Sequence, residues 1–271
     1  MSLFKYVLEE LKMSRMYEYT CEYTETAKGI QKEEKILDAK EHSKMSEIDF
    51  RNSFDDTESF IKWYFSYLPK NMTKLDAVGV VGSIIRDNGI KCLISFGAGP
   101  CVLEYFIELI SRGGVRIIAT DYDDFMIKCA RSFLHSNNFI AEKYDLYHDD
   151  VQRIVKQYEA EAVVMFGSAC SMDDERYLEF LKSFKLTGVR YIITFEAGIE
   201  SDLKSGIKNM KTVIKSIKRY FCKQNRKRRQ ALHAFKRTPQ KLMKIYKKAG
   251  FQCKRLKKLN SYQYSYLLIN D

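Results

Sequence analysis

Two glycines and a carboxylate, Gly97, Gly99 and Asp121, are the residues of this sequence best spaced to hold a small polar ligand. A glycine turn lets a ligand approach backbone N–H groups that a side chain would block. Where such a turn opens a helix, the free N–H groups and the positive end of the helix dipole add to the attraction. A carboxylate at the end of the next strand can accept hydrogen bonds from two ribose hydroxyls. The surrounding pattern supplies the elements that would place these groups. An apolar run, Cys92 to Ile94, leads into the turn. Apolar residues at 102, 103, 106, 107, 109 and 110 follow at helical spacing. Val115 to Ala119 is a second apolar run, and it ends just before Asp121. Strand, tight turn, helix, strand, carboxylate is the layout of a nucleotide-binding βαβ unit.

The chain around this unit keeps alternating. Upstream, Phe54 to Leu68 is a predicted helix with Asp55, Asp56 and Thr57 as capping candidates and Pro69 as its stop. Its aromatics Phe60, Trp63, Tyr64 and Tyr67 fall at helical spacing, which is read first as a core stripe. A second helix runs from Thr73 to Arg86. Downstream of Asp121 come a helix to His135, a weak strand over Ala141 to Tyr147, and a helix capped by His148-Asp149-Asp150. Then follow a strand Glu161 to Phe166, a helix from Asp173-Asp174 to Phe184, and a strand Val189 to Phe195. This alternation predicts an α/β fold: a parallel sheet with helices on both faces. Thr238-Pro239 starts a last helix ending at Gly250. Phe251 to Leu256 and Tyr262 to Ile269 read as a closing antiparallel hairpin.

The charge is uneven. From Leu203 to Asn270 there are 21 lysines and arginines and no acid, which leaves 25 basic and 35 acidic residues elsewhere. A mildly acidic body thus carries a strongly basic carboxy-terminal quarter. Leu203 to Arg229 has one apolar stripe and is predicted to be a basic helix. Residues 1–52 are polar and weakly periodic, a partly helical arm that could serve as a lid over a ligand or as a packing arm. The seven cysteines are scattered without any C-x-x-C pair, which fits free thiols in a reducing cytoplasm and gives no metal site. No apolar run reaches membrane-spanning length, and Met1 to Met16 has no leader-like core.

The order and spacing from Lys91 to Asp271 resemble class I S-adenosylmethionine-dependent methyltransferases, whose fold is a Rossmann-like, seven-stranded sheet. That family's first motif, an acid then G-x-G-x-G, stands here as Ser95-Phe-Gly97-Ala-Gly99-Pro-Cys101, with Ser95 in the acid's place and Cys101 in the third glycine's. The resemblance implies S-adenosylmethionine as cofactor, with Asp121 on the ribose and Asp149 on the adenine amino group. It sets Phe166-Gly167-Ser168 beside the methyl group. Ser95, Gly97, Gly99, Tyr122, Met126 and Asp150 complete the implied cofactor site. The ending, Thr238-Pro239 through Ala249-Gly250-Phe251 to Leu268, matches the family's last helix and hairpin. A nicotinamide-binding domain shares the first features but wants glycine at position 102, where this chain has Val102. The implied organisation is a helical amino-terminal extension or lid, 1–90, and a methyltransferase domain, 91–271, with a basic helical insert at about 203–237.

Methyl transfer from a sulfonium needs an acceptor atom about 3 Å from the methyl carbon, so positioning dominates. The N/D-P-P-Y/F motif of base-amino methylators and the Cys-Pro pair of cytosine-C5 methylators are both absent, which leaves an oxygen of a small molecule or glycan as first choice. Candidate bases are Glu196, Asp173 and His233, against helix capping for Asp173 and a surface position for His233. The basic segment 203–258 suggests an anionic partner: a phosphorylated substrate, a membrane surface or RNA. Alternatives are an RNA methyltransferase or RNA-binding protein, and a non-catalytic cofactor-binding scaffold.

Overall fold

The computed structural model describes residues 16–18, 56–67, 72–197, 233–235, 237–259 and 263–270, with Met210 and Ile214. In chain order these form β1 (Met16–Glu18), α1 (Thr57–Tyr67), α2 (Met72–Asn88), β2 (Cys92–Phe96), α3 (Val102–Ser111), β3 (Arg116–Asp121) and α4 (Asp124–Phe133). Next come β4 (Phe139–Lys143), α5 (Val151–Tyr158), β5 (Ala162–Phe166), α6 (Asp174–Ser183), β6 (Tyr191–Ala197), β7 (His233–Phe235), α7 (Pro239–Lys248), β8 (Gln252–Lys258) and β9 (Gln263–Ile269). The expected lid over residues 1–52 and the expected helix over Leu203–Arg229 lie outside the described residues, apart from β1 and two single positions.

The described residues contain a seven-stranded sheet in the order β4-β3-β2-β5-β6-β9-β8. Five strands run parallel, and β9 joins antiparallel to both β6 and β8. The central strands β2 and β5 are apolar almost throughout because they are buried on both faces, and β3 is apolar from Ile117 to Ala119 for the same reason. On one face, Leu93, Ile117, Val164 and Ile193 meet Val78, Val81 and Ile85 of α2 and Leu103 and Ile107 of α3. Each such side chain contributes about 1.5–3 kcal/mol on burial. On the other, Phe96 lies edge-on to Phe180 of α6, with centroids 5.5 Å apart. Among the described residues no helix is long and apolar enough to cross a membrane.

The chain divides into two compact units. Residues 55–169, 174–197 and 243–271 form the sheet unit, and 1–54, 170–173 and 198–242 form the other. In the latter, β1 pairs antiparallel with β7, Met16 opposite Phe235 and Glu18 opposite His233. There the buried Arg237 donates to Met172 O, and Thr238 caps α7 by accepting from Lys241 N–H at 3.2 Å.

Helices α1 and α2, assigned to the amino-terminal extension from sequence, belong to the sheet unit. Asp56 caps α1 by accepting from Ser59 N–H at 2.7 Å. Its aromatics then pack on the unit: Phe60 against Phe125 at 5.5 Å, and Phe65 against Phe133 at 5.6 Å. Strand β4 starts and ends earlier than its sequence pattern suggests. Tyr144 N–H donates the last bond of the β3–β4 ladder to Asp121 O at 2.9 Å, and Asp145 opens a turn instead of extending the ladder.

Candidate functional site

The carboxyl ends of β2, β3 and β5 meet at the glycine turn. Gly97 has φ of 65°, and a β-carbon there would lie 2.6 Å from Ser168 Cβ, so only glycine fits. Gly99 has φ of 59°, but a β-carbon there would meet no heavy atom within 4 Å. The loop at Gly99 thus borders open space. The same holds at Gly167 (φ 76°), just past β5. Cys101, standing where the motif has its third glycine, keeps the glycine-like backbone, φ 58° and ψ 31°. An L residue there costs about 1–2 kcal/mol. Its side chain is fully buried with Ala119, Ile127, Ala130 and Leu134, which anchors α3.

Asp121 ties the loop to β3. Its Oδ2 accepts from Gly99 N–H at 2.9 Å and its Oδ1 from Asp123 N–H at 3.0 Å. Burial pushes the Asp121 carboxyl up to about 6, against the lowering effect of those backbone donors. Each oxygen retains lone-pair capacity for a hydroxyl donor. Asp123 in turn caps α4 through Phe125 N–H at 2.9 Å. Tyr122 is half-buried beside it, and Met126 is buried on α4.

Past β4, Asp149 Oδ2 accepts from Asp145 N–H at 2.7 Å, and Asp150 caps α5 by accepting from Gln152 N–H at 2.8 Å. Asp149 and Asp150 are exposed, whereas Asp145 is half-buried two residues beyond the strand. Sequence reading passed over Asp145. Its signal was its position two residues past the strand end, which the expected longer strand concealed.

Ser95 is buried at the end region of β2, and its hydroxyl donates to Glu104 Oε1 at 2.5 Å. Glu104 is 1% exposed, in the first turn of α3. Burial raises its carboxyl above the ordinary value, opposed by the Ser95 hydrogen bond. Lys74 of α2 donates to Tyr64 OH, and its Nζ lies 4.7 Å from the Tyr64 ring centroid and 5.4 Å from that of Phe166. The Lys74 charge acts on both Glu104 and Cys101. Burial, aided by the charge of Glu104, pushes the Tyr64 phenol well above its ordinary value. Lys74, Tyr64 and Glu104 therefore gather with Ser95 and Phe166 on the loop side of the sheet unit. Tyr64 stands in the aromatic stripe expected at the core, whereas Glu104 and Lys74 are not among the residues expected at the site from sequence.

Glu196, 2% exposed at the end of β6, accepts from Tyr177 OH at 2.9 Å. Tyr177 OH also reaches Tyr246 OH at 3.4 Å, which pairs with Thr194 Oγ1 at 3.1 Å. Asp173 is exposed just before α6 and falls in the other unit, as does the backbone of His233 in β7. The His233 side chain lies outside the described residues.

No family model and no curated protein sequence matches this chain. Solved structures do. Human N-acetylserotonin methyltransferase in complex with S-adenosylmethionine is 15% identical, with a TM-score of 0.55 over 99% of this chain and 66% of that one. Magnesium protoporphyrin IX methyltransferase of Synechocystis, with bound S-adenosylhomocysteine, is 14% identical, with a TM-score of 0.54 over 83% of this chain and 100% of that one. A proposed O-methyltransferase of Nostoc punctiforme is 10% identical, with a TM-score of 0.51 over 72% of this chain; the chain spans 56% of that protein's length. At such identities the likeness is one of fold. The sheet order, the antiparallel β9 and the surrounding helices are those of the class I methyltransferase fold.

Proposed function

We propose that this chain is an S-adenosylmethionine-dependent methyltransferase acting on a small-molecule acceptor, with a hydroxyl oxygen as the favoured target. The observation that carries the reading is the open space beside left-handed Gly99, next to the buried Asp121 that holds this loop. Ligands of open α/β folds bind at this carboxyl edge of the strands. Asp121 is suited to the ribose diol. Asp149 and Asp145 are the acids suited to the adenine amino group, with Tyr122 and Met126 flanking the ring. Gly97, Gly99 and Ser95 border the methionine end, and Phe166 and Gly167 border the reacting end. When bound, the cofactor supplies an electrophilic sulfonium methyl group. The chain's own contribution is then to hold an acceptor in line and to keep water out.

A hydroxyl acceptor needs a proton sink. Glu196, held by the Tyr177 hydroxyl, is the candidate base within the sheet unit; Asp173 and His233 are the others. The five described cysteines are free thiols, which suits a cytoplasmic setting. Calorimetric titration with S-adenosylhomocysteine tests the cofactor, and release of S-adenosylhomocysteine from S-adenosylmethionine with a panel of hydroxyl acceptors tests the reaction. Tight binding without turnover on any acceptor favours a cofactor-binding scaffold.

A second reading, an anionic partner such as RNA or a phosphorylated substrate, is favoured by exposed cations within the sheet unit. Lys244, Lys247 and Lys248 of α7 and Lys254, Arg255, Lys257 and Lys258 of β8 are all exposed. RNA binding would weaken steeply as salt rises, and no RNA shift at low salt rules that partner out.

A further inference from the structure

The acid that opens the first motif is missing from β2, where Ser95 stands, yet a carboxylate is present nearby. Glu104 reaches back from the first turn of α3, and its Oε1 takes the Ser95 hydroxyl at 2.5 Å. Its other oxygen, Oε2, is buried and accepts no hydrogen bond from another of the described residues. A buried carboxylate oxygen without a donor from its surroundings is costly. A resident cation does not relieve it by hydrogen bonding: the Lys74 ammonium donates to Tyr64 and faces the Tyr64 and Phe166 rings. A donor that arrives with a ligand would relieve it, and an ammonium brings three N–H groups and the opposite charge. Lys74 meanwhile adds a positive charge to the same side, which suits a carboxylate. The two together match the two charges of an amino-acid zwitterion.

Resting on the S-adenosylmethionine reading of this loop, we propose that Glu104, oriented by Ser95, is the group that binds the α-ammonium of the ligand's amino-acid end, replacing the absent strand-end acid. Ser95 is then a positioning residue that fixes one carboxylate oxygen so that the other faces the ligand. Lys74 accompanies the α-carboxylate. The chain has moved its acid from the strand to the helix without giving up the charge.

The test compares two nucleosides by calorimetry: S-adenosylhomocysteine, which has the amino-acid end, and 5′-methylthioadenosine, which lacks it. Glu104→Gln should weaken S-adenosylhomocysteine at least tenfold, or about 1.4 kcal/mol, and leave 5′-methylthioadenosine within twofold. Ser95→Asp added to Glu104→Gln should recover part of the loss. Unchanged S-adenosylhomocysteine affinity in Glu104→Gln, or an equal loss for both nucleosides, overturns the assignment and leaves the cofactor reading standing. If Glu104→Gln does not fold, the wild-type chain is titrated with S-adenosylhomocysteine lacking its α-amino group. A tenfold weaker affinity supports the assignment, and an equal one overturns it. If neither nucleoside binds the wild-type chain, the cofactor reading falls and the Glu104 assignment falls with it.

Discussion

Gly97 and Gly99 look interchangeable in sequence, but their surroundings make opposite demands on an added methyl group. Both have left-handed backbones, φ 65° and 59°, so alanine at either costs about 1–2 kcal/mol of strain. At Gly97 the new β-carbon would also lie 2.6 Å from Ser168 Cβ. Overpacking of that kind adds about 1–3 kcal/mol. Gly97→Ala should therefore lose about 2–5 kcal/mol and Gly99→Ala about 1–2. At about 2–4 °C per kcal/mol for a chain of this size, the Gly99 variant should melt about 2–8 °C below wild type and the Gly97 variant clearly lower still. Binding should reverse the emphasis among folded variants. At Gly99 the methyl group projects into the open space assigned to the ligand, so S-adenosylhomocysteine affinity should fall tenfold or more, about 1.4 kcal/mol, despite the milder destabilisation. Scanning fluorimetry with and without ligand, together with calorimetry, measures both. Equal melting temperatures for the two variants would refute the loop geometry. Wild-type affinity in Gly99→Ala would refute the placement of the ligand against this loop.

Other expectations follow from buried polar groups. The Asp121 carboxyl, at about 6 in the fold against 3.8 when unperturbed, holds a proton that the unfolded chain releases. Its contribution to stability is full below pH about 4 and lost as pH rises through about 6, so Asp121→Asn should flatten the melting-temperature profile across that window. Tyr177→Phe removes the hydroxyl that donates to buried Glu196 at 2.9 Å, and should cost about 1–3 kcal/mol in denaturant unfolding. Tyr266→Phe, whose hydroxyl is buried without a partner among the described residues, should be neutral or stabilising in the same measurement. Asp76→Asn breaks a half-exposed pair with Lys257 at 3.0 Å and should change stability by less than about 1 kcal/mol.

The parallel core was legible because strands buried on both faces read as apolar runs, and because Gly97, Gly99 and Asp121 punctuate them. The closing hairpin was legible for the same reason: β9 is buried along almost its whole length. Strand β4 was harder to bound. Glu142 and Lys143 are charged yet stay in the ladder opposite Thr120 and Asp121, and the chain leaves the sheet only at Tyr144. The partners of α1 could not be read from its own spacing. Phe60 and Phe65 find Phe125, Tyr105 and Phe133, which come from two other helices. The Ser95–Glu104 contact crosses a strand, a turn and a helix start. Only the packing of α3 on β2 turns two unremarkable polar residues into a buried pair. A trace existed in the periodicity, since Glu104 lies on the same buried face as Val102, Leu103 and Ile107. Lys74 left no trace, because a single lysine in the first turns of an amphipathic helix reads as solvated.

The central claim, that this loop and Asp121 hold the nucleoside of S-adenosylmethionine, is tested most directly by calorimetric titration of wild type and Asp121→Ala with S-adenosylhomocysteine. The structure leads us to expect saturable one-to-one binding to the wild-type chain. It should come with thermal protection of about 2.7 kcal/mol at a hundredfold excess over Kd, and Asp121→Ala should abolish both. No heat and no protection of the wild-type chain at millimolar ligand, or undiminished binding in Asp121→Ala, would contradict it.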